Sequence, residues 1–162
     1  GPEHWQSRWQ ALEPSFRRVT MPDWDRPDLE TWLAVLDAAV KAEAAEPVIV
    51  AHSLGCLAVA HFAARGGRVR AALLVAVPEP GGPAWPEEAQ SFAAVPLTPL
   101  PFPTLVVASR DDPYGSFEYA AKCAKAWGSA LHDAGPAGHI NAHSGLGDWA
   151  AGRKLLADVC GC

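Results

Sequence analysis

Residues 47–62 read Pro-Val-Ile-Val-Ala-His-Ser-Leu-Gly-Cys-Leu-Ala-Val-Ala-His-Phe, and the fold depends on how this stretch changes its period. Val48, Ile49 and Val50 make a short β-branched run suited to a buried strand, whereas Leu54, Leu57, Ala58 and Phe62 recur at helical spacing. Ser53 therefore falls where strand becomes helix. Small residues two before and two after it, Ala51 and Gly55, let the two backbones approach closely, which is the pattern of a nucleophile elbow. A serine that merely caps a helix needs no small residues on both sides. The Ser53 hydroxyl is expected to stand clear of the sheet, and the backbone N–H of Leu54, at the start of the helix, is placed to donate to an oxyanion.

The composition bounds the rest. A chain of 162 residues with 49% hydrophobic residues makes one domain, residues 1–162, with a substantial core. A net charge of -5, from 13 Lys and Arg against 18 Asp and Glu, argues against a nucleic-acid or anionic-membrane partner. No apolar run reaches membrane-spanning length and no signal-peptide pattern is present, so a soluble cytoplasmic protein is expected. Cys56, Cys123, Cys160 and Cys162 are too scattered for a disulfide framework and are expected as free thiols. Cys160-Gly-Cys162 reads as a frayed tail rather than a metal site or a strained disulfide.

Along the chain, Trp5, Trp9 and Leu12 mark one face of a short helix over 4–13, ended by Pro14. Phe16–Met21 reads as a strand. Asp28 is a good N-cap for a helix running to about Ala45, with Leu29, Trp32, Leu33, Leu36 and Val40 inward. The helix after Ser53 should stop at Gly66-Gly67. Val69–Val77 is nearly all apolar, the pattern of a strand covered on both faces. Residues 78–103 are proline-rich with a short helix over Glu87–Ala93, and read as an insertion over one sheet edge. Thr104–Ser109 follows as a strand, Phe117–Trp127 as a helix, Ser129–Asp133 as a strand and Asp148–Val159 as a closing helix. The alternation predicts an α/β fold: a doubly wound, mainly parallel sheet with helices on both faces.

In such a sheet the chemistry collects at the carboxyl ends of the strands. A serine hydroxyl is a weak nucleophile at neutral pH, so an imidazole must take its proton and a carboxylate must fix that imidazole's tautomer. Arg110-Asp111-Asp112-Pro113 follows one predicted strand and Gly138-His139 follows the last, in the order Ser, Asp, His that this fold uses. Asp112 and His139 suit the two tasks. Asp111 is the rival acid, with Asp133 and Asp148 more remote. The competing reading of Asp112 is a helix N-cap before Pro113, and that of His139 is a metal ligand spaced four residues from His143. His52 is expected to pack or hydrogen-bond beside the elbow, and His61 and His132 to belong to the scaffold. The tryptophans are mostly core, with Trp5 and Trp85 candidates for a pocket wall.

The residues His4-Trp5 with Trp9, Met21-Pro22 before Trp32, Val50-Ala51-His52-Ser53-Leu54-Gly55-Cys56, Ala108-Ser109-Arg110-Asp111-Asp112 and Gly138-His139 resemble the YdeN-type, retinoblastoma-binding-protein-nine-like serine hydrolases of the α/β-hydrolase superfamily. The resemblance covers nearly the whole chain. It implies a compact hydrolase without a large cap domain, and it favours the second aspartate, Asp112, as the acid. Such proteins begin with a strand and a glycine-containing loop before the His-Trp pair, and that loop supplies a second oxyanion donor. Residues upstream of Gly1 are therefore expected. The expectation is a serine hydrolase acting on small carboxylic esters or amides without cofactor or metal, with Ser53, Asp112 and His139 catalytic, Leu54 at the oxyanion, and His4, Trp5 and Trp85 at the substrate. A second reading is a non-catalytic binding module on a hydrolase scaffold.

Overall fold

Successive residues of a strand face opposite sides of a sheet, and a strand apolar at every position needs cover on both. Ala71–Val75 is such a strand, buried throughout: Ala72 and Leu74 enter one core, Leu73 and Val75 the other. The computed structural model of the protein describes residues 1–161. Its strands are β1 (Val48–His52), β2 (Ala71–Val75), β3 (Thr104–Ala108) and β4 (Ala130–Asp133), all parallel and in the order β1-β2-β3-β4. Helices α1 (Trp5–Leu12) and α5 (Ala150–Cys160) cover one face, and α2 (Leu29–Lys41), α3 (Leu54–Ala64) and α4 (Phe117–Trp127) the other. This is the doubly wound parallel architecture expected.

Local chemistry sets the helix ends. The Asp28 carboxylate caps α2 by accepting the Thr31 N–H, and Ser116 caps α4 through the Tyr119 N–H. Gly128 ends α4 in the left-handed conformation, at φ 68. Helix α2 stops at Lys41 rather than near Ala45, because the chain must turn before Pro47 brings it into β1.

Four expectations need correction. Leu12 does not join Trp5 and Trp9 inside: it is 58% exposed at the end of α1, beyond the reach of the core. Phe16–Met21 is not a strand, since no ladder accepts it. It instead passes from one face to the other, with Phe16 packed on the α1–α5 core and Val19 and Met21 on the α2–α3 core. Among the described residues no strand lies on the free side of β1, where the Gln6 side-chain amide donates to the Val50 carbonyl at 3.0 Å. The proline-rich insertion covers the helical face and not a sheet edge: Phe92, in a 3-10 turn over Glu87–Phe92, meets Trp32 edge-on at 5.3 Å, and the Trp127 indole N–H donates to the Pro96 carbonyl. Finally, Cys56 and Cys123 are free and buried, but Cys160 ends α5 and is disulfide-bonded, so it is not the free thiol expected. Cys162 lies outside the described residues.

One close approach positions the loop after β3. A Cβ at Gly115 would lie 2.3 Å from the Val77 carbonyl oxygen, and next to it the Glu79 N–H donates to the Tyr114 carbonyl at 2.8 Å. Gly115→Ala is expected to destabilise the protein by about 1–3 kcal/mol, because backbone on both sides must shift to admit a methyl. The check is a lower denaturant midpoint at unchanged m-value; an unchanged midpoint would show that the two loops yield freely.

Candidate active site

Ser53 lies between the end of β1 and the start of α3 with φ 54 and ψ -126, a conformation that a residue with a side chain adopts only under constraint. Two backbone bonds hold it there. The Ser53 N–H donates to the Val75 carbonyl at 2.9 Å, and the Cys56 N–H donates to the Ser53 carbonyl at 2.8 Å. A Cβ at Gly55 would meet the Ala51 Cβ at 3.6 Å, so the flanking residues touch at ordinary contact distance. Position 55 therefore demands glycine less strictly than the motif suggests.

Two loops from the carboxyl ends of later strands converge on this turn. The loop after β3 brings Asp112, whose side chain is 2% exposed, and the loop after β4 brings His139, whose side chain is 10% exposed. His139 Nδ1 lies 2.9 Å from both Asp112 oxygens, and its Nε2 lies 2.9 Å from Ser53 Oγ. A carboxylate only accepts, so Nδ1 carries the proton and Nε2 is left to accept from the serine hydroxyl. The Tyr114 N–H also donates to Asp112 Oδ1 at 2.9 Å and fixes the carboxylate. The Leu54 N–H is the first amide of α3, a position with no intrahelical acceptor.

Asp111, the rival acid, faces another way. Its Oδ1 accepts from the Ser109 hydroxyl and the Gly138 N–H, each at 2.8 Å, and these bonds, Ser109's foremost, hold its carboxyl below the usual range. Ser109 Oγ in turn accepts the Ala137 N–H at 2.9 Å. Asp111 thus ties the loop bearing His139 to the loop bearing Asp112. Asp133 is engaged by Arg110 and Asp148 by Arg8, both away from His139. His143 belongs to a 3-10 turn over Ala142–Ser144, and among the described residues no group of three or more His, Cys, Asp or Glu could hold a metal ion.

The residues expected at the substrate separate. His4 caps α1, accepting the Gln6 N–H at Nδ1, and its ring meets His52 at 4.8 Å, one ring away from His139. Burial, with help from the N-terminal charge, pushes its pKa down to about 4, so it is neutral at pH 7 with one N–H to offer. Trp5 is no pocket wall: it is 1% exposed and its indole N–H donates to the Ile140 carbonyl at 2.8 Å. Trp85 packs against the α2–α3 core, on the insertion, the same core against which Leu54 packs. Aromatic type marks both as large and partly apolar, and only packing tells wall from core. Tyr114, which composition did not single out, lies with its ring centroid 4.4 Å from that of His139 and is 42% exposed.

A four-stranded parallel sheet with helices on both faces, and a strained serine between its first strand and the following helix, defines a compact α/β-hydrolase fold. The chain belongs to the serine hydrolase family, which it matches over residues 1–158. It is 34% identical to a YdeN-like hydrolase of Pectobacterium atrosepticum, with a TM-score of 0.90 over 99% of this chain and 84% of the other. The ydeN gene product of Bacillus subtilis shares the fold at 20% identity and a TM-score of 0.82, over 99% and 93% of the two chains. The carboxylesterase CesB of Bacillus subtilis shares it at 13% identity and a TM-score of 0.62, over 97% and 80%. No curated protein sequence matches the chain. In class the protein is therefore a YdeN-type serine hydrolase. No helix among the described residues is long and apolar enough to cross a membrane.

Proposed function

We propose that the protein hydrolyses small carboxylic esters or amides through an acyl-enzyme, with Ser53, His139 and Asp112 as a catalytic triad on a nucleophile elbow. The observation that carries this reading is the unbroken chain of 2.9 Å contacts from Ser53 Oγ through His139 to Asp112. In the first half-reaction Ser53 Oγ attacks the acyl carbon as its proton passes to His139 Nε2. Asp112 stabilises the imidazolium, and the Leu54 N–H donates to the oxyanion. The tetrahedral intermediate collapses as His139 returns the proton to the departing alcohol or amine. Water then repeats the sequence on the acyl-serine and releases the acid. His4 supplies a neutral N–H donor beside the site. The fold-sharing carboxylesterase supports the choice of ester chemistry.

A fluorophosphonate probe tests this directly, because it traps a serine only where a base activates it. Stoichiometric labelling is expected, with the adduct located on Ser53 by peptide mass mapping. A folded protein that stays unlabelled would favour the non-catalytic binding module.

A further inference from the structure

The loop that carries His139 is held under strain. Gly138 has φ 57 and Ile140, a β-branched residue, has φ 45, a region that such a side chain enters only when its surroundings compel it. Ile140 is wholly buried in the core between the sheet and α1. What compels the loop can be identified: two consecutive carbonyls receive side-chain donors from elements distant in sequence. His52 Nε2 lies 2.8 Å from the His139 carbonyl oxygen, and the Trp5 indole N–H donates to the Ile140 carbonyl at 2.8 Å. A carbonyl only accepts, so Nε2 of His52 carries the proton. The two donors support each other, with ring centroids 6.2 Å apart, and the His52 ring also meets the His139 ring edge-on at 4.8 Å. Below them the Trp9 indole N–H holds the Asp148 carbonyl, where the same loop enters α5.

We infer that His52 and Trp5 are positioning residues: together they clamp the backbone at His139 and Ile140 and so hold the imidazole between Ser53 and Asp112. This rests on the triad reading given above. Burial drives His52 down to about pH 3, with its bond to the His139 carbonyl opposing the shift. His52 is thus neutral whenever His139 is being charged and discharged, and it adds no competing positive charge beside the imidazolium. A lysine or arginine in its place would supply a donor but also that charge. The clamp acts on geometry, so its loss should lower the rate at saturating substrate and leave substrate affinity alone.

The experiment compares His52→Phe, His52→Asn, His52→Gln and Trp5→Phe with the parent chain. It uses p-nitrophenyl acetate turnover and the one-dimensional proton spectrum of the His139 Nδ1–H bonded to Asp112. Glutamine places an amide N–H close to where Nε2 stands, asparagine falls short, and phenylalanine keeps the ring without the donor. A tenfold to hundredfold loss of kcat with KM within about twofold is expected for His52→Phe and Trp5→Phe, as for a displacement of about 1 Å. His52→Gln should recover most of the rate. In the variants that lose rate, the downfield Nδ1–H resonance should broaden or vanish. Parent-like kcat and resonance in His52→Phe and Trp5→Phe would overturn the clamp. If phenylalanine at 52 prevents folding, His52→Gln against His52→Asn decides: equal rates and equal spectra overturn it. Should the parent turn over no ester and resist fluorophosphonate, the triad reading fails, and the resonance still reports whether His52 and Trp5 hold the His139–Asp112 pair.

Discussion

Ser53→Ala is expected to lower ester turnover by about 10⁶-fold, since removing the nucleophile of a triad costs nearly as much as removing the whole unit. The variant should fold normally. Among the described residues Ser53 Oγ bonds to His139 alone, and both constraints on its backbone, the bonds to Val75 and from Cys56, are main-chain. Alanine at φ 54 is strained to much the same degree as serine, because each carries an unbranched Cβ. Kinetics and a melting curve on the same preparation check both halves of the expectation. A variant that keeps most of its activity with its fold intact would remove Ser53 from the chemistry.

Asp112→Asn should cost about 10⁴-fold in kcat, through the tautomer rather than the geometry. Both carboxylate oxygens face His139 Nδ1 at 2.9 Å, so an amide there can turn its NH₂ toward the ring and leave Nδ1 bare. The proton then sits on Nε2, opposite Ser53, and the base has nothing to accept with. Asp111→Asn provides the contrast. An asparagine at 111 retains an oxygen for the Ser109 hydroxyl and the Gly138 N–H, so a loss of about tenfold or less is expected, from a loosened loop. Equal losses at 111 and 112, or the reverse order, would assign the carboxylate the other way.

The elements were legible wherever periodicity was strong. The run 117–127 is α4 residue for residue, and the apolar runs expected as strands at 48–50, 69–77 and 104–109 coincide, within a few residues at their ends, with β1, β2 and β3. Leu12 and Phe16–Met21 were misread because a local pattern cannot see its partner. A strand exists only where a ladder accepts it, and an apolar residue is core only if something lies over it. The insertion at 78–103 was recognised from its prolines, but its destination on α2 and α4 depends on Phe92 meeting Trp32 and on Trp127 reaching Pro96.

Within the candidate site, residue type and order pointed to Ser53, Asp112 and His139, since few side chains can serve as nucleophile, orienting acid and base at successive strand ends. The choice between neighbouring Asp111 and Asp112 was not local. Both follow β3 and both are acidic, yet one carboxylate lies 2.9 Å from His139 and the other receives the Ser109 hydroxyl and the Gly138 amide. Nor does anything in the letters His-Ser or His-Trp announce that His52 and Trp5 hold consecutive carbonyls of a loop more than eighty residues away. The sequence by itself determined the strand and helix periods and the chemical inventory at the strand ends, because these depend on side-chain type and near-neighbour spacing. Only the tertiary structure decided which carboxylate faces the imidazole, which tryptophan is a support, and how a strained Ile140 is held. Those outcomes depend on hydrogen bonds between segments that meet only when the sheet has assembled.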